Sequence, residues 1–351
     1  MPGAAGAVGT EQQSQQQPPP HFQLPPVLRN ARGEVRKAGF ELEYSGVSLN
    51  VSGVLVRKVF GGEHVIHTTF VHTVRGTRFG EFAVEMDTTL LKEKLYERPM
   101  RALGFDPQRH DAKWLESALL GVLGAVVPTE IASPPIPVDE LAPLDELCRL
   151  LRKHGAKGTR ASWLYAFGMH INPEIPSEEP GQLRDYLRAF LLLYPWLKQR
   201  GEIDLTRRVS PYINSFPPEY ARLILRADYP DSAERLIDDY LQHNPTRNRP
   251  LDMVPALAHI DRQRVFDRVQ EKHLVKSRPA FHYRLPNCMV DEPHWSLAAE
   301  WNRWVAVERL ANDPVRLAEM SRDYLAADET SLRPFVDKWP GQVEQMMKDH
   351  A

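Results

Sequence analysis

Residues 39–44 read Gly-Phe-Glu-Leu-Glu-Tyr, and this alternation of apolar and acidic residues limits the folds open to the chain. Successive side chains of a β-strand point to opposite faces of the sheet. The apolar side chains therefore share one face, while Glu41 and Glu43 share the other at a spacing of roughly 6–7 Å. The pattern predicts a half-buried strand with one face toward a core and one acidic face.

Further segments with strand or helix periodicity follow along the chain. Strands are predicted over residues 62–74, 79–86, 125–132, 163–171 and 281–285. Helices are predicted over residues 112–123, 138–154, 183–200, 218–229 and 232–243 and from residue 297 onward. In the helix over 138–154, Asp139 and Glu140 are expected in the first turn, and Gly155 is expected to end the helix.

The order of these elements favours one fold class. Strands come early and then recur singly between helices. This order predicts an α+β fold in which helices pack on one face of an antiparallel sheet, followed by a helical C-terminal region.

Composition bounds the remaining possibilities. Residues 12–20 form a Gln/Pro tract, so residues 1–35 are expected to be disordered and do not resemble a secretory signal. The most apolar stretch, 115–127, is shorter than the ~20 residues that span a bilayer. A formal charge of −2 without a Lys/Arg block gives no sign of nucleic-acid or membrane binding. Two cysteines without metal-binding spacing fit a reducing compartment, so a cytoplasmic location is expected.

The acidic pair is the first candidate for chemistry. Two carboxylates at this spacing repel each other unless a cation lies nearby. Mg²⁺ prefers carboxylate oxygens together with phosphate, which makes Glu41 and Glu43 candidate ligands of a divalent cation. The alternative is a polar strand face open to water, and the spacing alone favours that alternative.

Three more acids stand on predicted strands. Glu85 and Asp87 repeat the same spacing on a neighbouring strand. Glu130 lies at the end of an otherwise apolar strand, where an acid is costly unless it is paired or bound to a ligand. An exposed acid at a strand end is the alternative for Glu130.

Histidine and arginine residues at strand spacing form the next group. His170 shares a strand face with Gly168 and Asn172, and glycine allows a ligand to approach the backbone closely. A histidine satisfied within the core is the alternative for His170. His282 and Arg284 form another pair two residues apart.

Two further groups are candidates for anion and metal binding. Arg208 and Tyr212 lie close together in the chain, and arginines beside an acidic metal site bind phosphate or carboxylate groups. Surface salt bridges are the alternative for each arginine. His64, His67 and His72 suggest zinc less well, because His67 is out of phase with the other two.

Taken in order, these segments resemble the amidoligase family, which belongs with glutamine synthetase and the glutamate–cysteine ligases among the carboxylate–amine ligases. The resemblance covers residues 36 to about 305. The motifs that carry it are Gly39-Phe40-Glu41-Leu42-Glu43, Val84-Glu85-Met86-Asp87-Thr88-Thr89-Leu90, Glu130-Ile131-Ala132-Ser133-Pro134-Pro135, Gly168-Met169-His170-Ile171-Asn172 and His282-Tyr283-Arg284.

The resemblance implies a glutamine-synthetase-like core whose antiparallel sheet holds ATP and Mg²⁺ against the acidic strand. It implies a catalytic domain over 36–295 and a helical extension over 296–351 packed on it. The implied metal ligands are Glu41, Glu43, Glu130, His170 and His282. The implied contacts to nucleotide, phosphate or reacting carboxylate are Arg284, Arg208, Tyr212 and Asn172.

One residue departs from the family pattern. Where the family usually has Glu-Phe-Arg, this chain has His282-Tyr283-Arg284. Histidine can ligate a metal ion, but it is softer than a carboxylate and neutral. The departure replaces an acidic ligand of the implied metal site by a neutral one.

The resemblance also implies a reaction and its substrates. ATP would phosphorylate a substrate carboxylate, and an amine would then attack the acyl-phosphate to form an amide. Glu85 or Asp87 would orient the amine or take its proton. The implied partners are small-molecule or peptide carboxylates and amines. The alternatives are a binding protein that has kept the fold without catalysis and a metal-dependent amide hydrolase that uses the same acids.

Overall fold

The computed structural model describes residues 21–86, 128–161, 168–203, 214–330, 340–341 and 343–345. Nine strands lie within these residues: β1 (Lys37–Tyr44), β2 (Glu63–Thr68), β3 (Val71–Thr77), β4 (Gly80–Met86), β5 (Thr129–Ala132), β6 (Ile136–Pro137), β7 (Met169–Pro173), β8 (Leu251–Asp252) and β9 (His282–Tyr283). They form one sheet in the order β2-β3-β4-β5-β1-β7-β9-β8, and β6 pairs with β1. Every pairing is antiparallel.

Helices account for much of the rest of the described chain. They are α1 (Leu49–Phe60), α2 (Pro143–Lys153), α3 (Pro180–Arg200), α4 (Pro218–Leu225), α5 (Ala233–His243), α6 (Val254–Ile260), α7 (Arg262–Phe266), α8 (Leu297–Ala311) and α9 (Pro314–Thr330). Short 3₁₀ turns cover Thr159–Ala161 and Lys272–Leu274. The predicted α+β class with an antiparallel sheet is confirmed.

The apolar face of β1 lies in the core, as its alternation predicts. Phe40, Leu42 and Tyr44 are at most 1% exposed. Leu42 lies opposite Ile131 on β5, and the ring of Phe40 packs 6.1 Å from that of Trp301 on α8. Because the alternation is strict, burial of this face turns Glu41 and Glu43 to the opposite face of the sheet.

Aromatic side chains join the far end of the sheet to α3 and α8. The ring of Tyr283 on β9 lies 5.8 Å from Phe190 of α3 and 5.5 Å from Trp304 of α8. Tyr283 also pairs with Ile171 of β7, and both side chains are almost completely buried. This packing holds β9 against β7 and places His282 and Arg284, the neighbours of Tyr283, toward the acidic face.

A buried ion pair ties the start of β1 to α8. Arg36 donates to both carboxylate oxygens of Glu308, at 2.7 and 2.9 Å, and both side chains are at most 1% exposed. Trp304 and Tyr186 donate to the same carboxylate. Two hydrogen bonds in parallel and two further donors satisfy the buried charge. The division of the chain at residues 295 and 296 stays a prediction.

The structure corrects the prediction of one strand over 62–74. Two strands, β2 and β3, occupy this region and pair with each other, joined by a turn at residues 69–70. In the turn, the Thr68 hydroxyl accepts a hydrogen bond from the Phe70 amide at 3.1 Å. The periodicity assigned to residues 62–74 did not reveal the turn between the two strands.

The helix predicted over 138–154 also begins later than expected. It starts at Pro143 rather than at Val138, and Asp139 and Glu140 lie in the preceding turn. Proline has no amide hydrogen and is favoured in the first turn of a helix, so Pro143 sets the boundary. Gly155, at φ 88°, follows the helix end as predicted.

The remaining differences between the predicted and the observed elements are of two kinds. Some elements were not predicted, and some predicted elements lie outside the described residues. Helix α1 was not predicted, although Ser48 caps it by accepting from the Val51 amide. Strand β8 and helix α6 were also not predicted. The predicted helix over 112–123 and the first residues of the strand over 163–171 lie outside the described residues.

Candidate active site

A row of acids crosses the sheet on the face opposite the core. Glu43 of β1 lies directly opposite Glu130 of β5, and Glu130 lies directly opposite Glu85 of β4. Side chains opposed in this way have Cβ atoms roughly 4.5–5.5 Å apart, and like charges at that distance destabilise a sheet. A cation bound beside these carboxylates would relieve the repulsion, so the row is suited to cation binding.

Glu41 stands on the same face and is held by β7. Nδ1 of His170 lies 2.7 Å from one carboxylate oxygen of Glu41, and the side-chain amide of Asn172 donates to the other at 2.9 Å. Burial would raise the pKa of the Glu41 carboxyl, but the hydrogen bonds from His170 and Asn172 hold it well below its usual range. Glu41 is therefore ionised and acts as an acceptor.

The contact with Glu41 sets the proton position on His170. An ionised carboxylate only accepts, so Nδ1 of His170 carries the proton and Nε2 keeps its lone pair. Nε2 lies 4.0 Å from a carboxylate oxygen of Glu43, whose other oxygen accepts from the Gly168 amide at 2.7 Å. A histidine held by a carboxylate through one nitrogen and open at the other is the usual form of a metal-ligating histidine.

The donors on this face fit a hard divalent cation. Glu43, Glu130 and Glu85 provide carboxylate oxygens in one row, and His170 adds a ring nitrogen beside them. Oxygen-rich donor sets suit Mg²⁺ and Mn²⁺. The side chains of Glu43 and His170 are 18% and 12% exposed, so these donors are largely buried but still accessible to solvent.

His282 completes a second, overlapping cluster. One potential ligand atom each from Glu41, His170 and His282 lie within 4.8 Å of one another, and the two histidine rings are 4.9 Å apart. Burial lowers the pKa of His282 well below its usual range, and nearby Arg284 and Arg278 lower it further. His282 is therefore neutral.

Three cationic or acidic residues missed in the sequence surround His282. Arg278 contacts both Asn172, at 2.6 Å, and His282, at 2.9 Å. Asp252 lies opposite His282 on β8, and burial raises its pKa to about 6 although Arg247 stands 3.7 Å away. No short motif marks these residues, because loops and β8 bring them to the site only in the folded chain.

The structure brings together most of the residues predicted for the site. Glu41, Glu43, Glu130, Glu85, His170, Asn172 and His282 stand on the strands of one sheet face, and Arg284 follows β9. Both groups of the Asn172 amide are engaged by protein, which indicates a positioning role for this side chain. Asp87, Arg208 and Tyr212 lie outside the described residues.

The histidines of β2 and β3 form a separate pair. Nε2 of His64 lies 3.1 Å from Nδ1 of His72, whereas His67 contacts the hydroxyl of Thr73. His67 thus points away from the other two, as the strand phase predicts. Among the described residues, one set of three His, Cys, Asp or Glu side chains lies close enough together to bind a metal ion, and it is the set formed by Glu41, His170 and His282.

A family model described as "Putative amidoligase enzyme" matches residues 34–306, most of the chain. The chain belongs to this amidoligase family. The match spans β1 through most of α8, so every strand described above lies within the family domain. No curated protein and no solved structure gave a significant match. Among the helices that the structure describes, none combines the length and apolarity needed to cross a membrane.

Proposed function

We propose that this amidoligase is an ATP- and Mg²⁺-dependent carboxylate–amine ligase with a glutamine-synthetase-like catalytic core. The observation that carries the proposal is the arrangement of Glu41, His170 and Glu43. One acid orients the histidine, and the other stands beside the free nitrogen of its ring. A solvated strand face, the alternative for the two acids, does not require such a linked set of contacts.

In this proposal, Glu43, Glu130 and His170 hold Mg²⁺, and Glu41 keeps the His170 ring in place. A bound Mg²⁺ would neutralise charge on phosphate oxygens. The partly buried location of Glu41 strengthens these electrostatic interactions, because the surroundings are less polar than water.

The proposed reaction has two group transfers. A carboxylate oxygen of the first substrate attacks the γ-phosphorus of ATP, the bond to the β–γ bridging oxygen breaks, and ADP leaves. The nitrogen of an amine substrate then attacks the acyl carbon, the carbon–oxygen bond to phosphate breaks, and the amine loses one proton. The products are an amide, ADP and phosphate.

Side chains of this chain would provide binding and orientation for both steps. Arg284 is proposed to stabilise negative charge on the transferring phosphoryl group. Glu85, exposed at the end of the acidic row, is proposed to orient the amine or accept its proton. Asp87, Arg208 and Tyr212 stay candidates for the same site from the sequence alone. The proposed partners are small-molecule or peptide carboxylates and amines.

The test combines ATP, Mg²⁺ and panels of carboxylates and amines with the full chain. ADP release and amide formation are followed by chromatography and mass spectrometry. A carboxylate labelled with ¹⁸O should transfer one labelled oxygen to the released phosphate, because that oxygen bridges carbon and phosphorus in the acyl-phosphate. Glu43→Gln should abolish turnover, whereas Glu63→Gln, at an exposed position on β2, should not.

Two outcomes would contradict the proposal. Cleavage of amides without nucleotide would indicate a metal-dependent hydrolase. Nucleotide binding without turnover of any pair, unaffected by Glu41→Gln or Glu43→Gln, would indicate a binding protein that has kept the fold without catalysis.

A further inference from the structure

The contact between Arg278 and His282 determines which nitrogen of His282 carries a proton. Nη2 of Arg278 lies 2.9 Å from Nδ1 of His282, and the His282 side chain is almost completely buried. A guanidinium group can only donate hydrogen bonds, so Nδ1 must accept with its lone pair. Because Nδ1 carries no proton, the ring proton lies on Nε2.

This proton position separates His282 from His170. In His170 the proton is on Nδ1, toward Glu41, and Nε2 can coordinate a cation. In His282 the lone pair of Nδ1 is used by Arg278, and Nε2 has no lone pair to offer. His282 therefore does not fit the role of a metal ligand, although it stands within the cluster formed with Glu41 and His170.

Two buried N–H groups at this contact have no hydrogen-bond partner within the part of the chain that the structure describes. They are Nε2 of His282 and Nε of Arg278. Buried donors without acceptors are rare because they have lost hydrogen bonds to water without replacement. Donors at a guanidinium and a neutral imidazole favour an anionic oxygen as the missing acceptor.

We propose that Nε2 of His282 donates to an oxyanion, that Arg278 fixes the ring tautomer on which this donation depends, and that His282 takes no part in metal binding. The chemical class of this oxyanion rests on the proposed function. In that function the anionic oxygen belongs either to a phosphate group of the nucleotide or to the carboxylate of the substrate. The departure from the family's acid at position 282 then exchanges an acceptor for a donor.

Two substitutions of His282, by Gln and by Glu, introduce side chains of equal length. They test whether residue 282 donates a hydrogen bond to an oxyanion or ligates the metal. His282→Gln keeps an N–H near the position of Nε2, whereas His282→Glu provides only acceptors and a negative charge. Stabilisation by acetate and by inorganic phosphate is measured as a rise in Tm, with chloride at equal ionic strength as the control. We expect oxyanion binding close to that of the natural chain in the Gln variant and at least about tenfold weaker in the Glu variant.

Manganese titration followed by electron paramagnetic resonance gives the second readout. His282→Gln should bind Mn²⁺ within about twofold of the natural chain, whereas Glu43→Gln should bind it at least about tenfold more weakly. A tenfold loss of Mn²⁺ affinity in His282→Gln would overturn the proposal, because it would show that the ring nitrogen ligates the metal.

Variants of Arg278 keep the proposal testable if changes at His282 disturb folding. Arg278→Met should weaken acetate or phosphate binding about tenfold and leave Mn²⁺ binding unchanged, and Arg278→Lys should recover part of the anion binding. A larger loss with phosphate than with acetate identifies the nucleotide as the source, and the reverse identifies the substrate carboxylate.

Failure of the two proposals can be told apart. If the chain turns over no substrate but loses oxyanion binding in His282→Glu and Arg278→Met, the ligase function fails and the oxyanion site stands. If the natural chain binds neither acetate nor phosphate above the chloride control, the oxyanion site is wrong whatever the catalytic result.

Discussion

His170 donates a hydrogen bond of 2.7 Å through Nδ1 to the carboxylate of Glu41, across the pair formed by β1 and β7. The contact fixes both the ring orientation and the position of its proton. In the proposed site the two acids of the alternating strand therefore have different tasks: Glu41 orients His170, and Glu43 would bind the cation together with it.

Substitution of His170 should separate these tasks. His170→Asn keeps an N–H near Nδ1 for Glu41 but removes the nitrogen at Nε2, so Mn²⁺ affinity should fall about tenfold or more. His170→Ala also removes the contact with Glu41, so it should cost more folding free energy than the Asn change. Manganese titration and urea unfolding measure the two effects, and equal Mn²⁺ affinity in all three proteins would contradict the assignment.

Removal of a carboxylate from the acidic strand should weaken metal binding according to its position. Glu41→Gln should lower Mn²⁺ affinity about 10–100-fold through its effect on His170, and Glu43→Gln should lower it at least as much. Glu63→Gln, on the exposed strand β2, is the matched control and should change it less than about twofold. Losses of similar size in all three variants would show that net charge, rather than this site, attracts the cation.

The buried pair between Arg36 and Glu308 should contribute strongly to stability. Arg36→Met leaves the Glu308 carboxylate buried without its main partner, so the free energy of unfolding should fall by about 3–5 kcal/mol. Arg32→Met removes the ionic partner of Glu34 from an exposed pair and should cost far less stability. Urea unfolding compares the two, and similar losses would show that the buried pair is no more important than the exposed one.

Asp252 should make stability depend on pH. Burial raises its pKa from 3.8 to about 6, so the folded chain holds the proton more tightly than the unfolded chain. Its contribution to stability is therefore greatest below pH 4 and is lost as pH rises to about 6, a change of about 3 kcal/mol.

Asp252→Asn tests this dependence, because its side-chain oxygen can still accept from the Val254 amide. The difference in unfolding free energy between the natural chain and this variant should shift in favour of the variant from pH 4 to pH 7. A difference that does not change with pH would mean that Asp252 titrates normally.

Much of the site could be predicted because strand periodicity is a local property. The alternation over 39–44 predicted which face of β1 would be acidic, and the spacing of Gly168, His170 and Asn172 predicted one shared face of β7. The same local rule failed between β2 and β3, because it did not reveal the turn that joins them. It also failed at Asp139 and Glu140, because Pro143 delays the helix.

By itself, the sequence determined that β1 has a core face and an acidic face, because side chains alternate along any strand. Only the tertiary structure decided which residues meet Glu41 and Glu43 across the sheet. The antiparallel register places Glu130 opposite Glu43 and His170 opposite Glu41, and a loop brings Arg278 to His282. The register joins His170 to Glu41, which lies 129 residues away in the chain. Arg278 lies only four residues before His282, but it reaches the ring through a loop conformation that strand or helix periodicity does not specify.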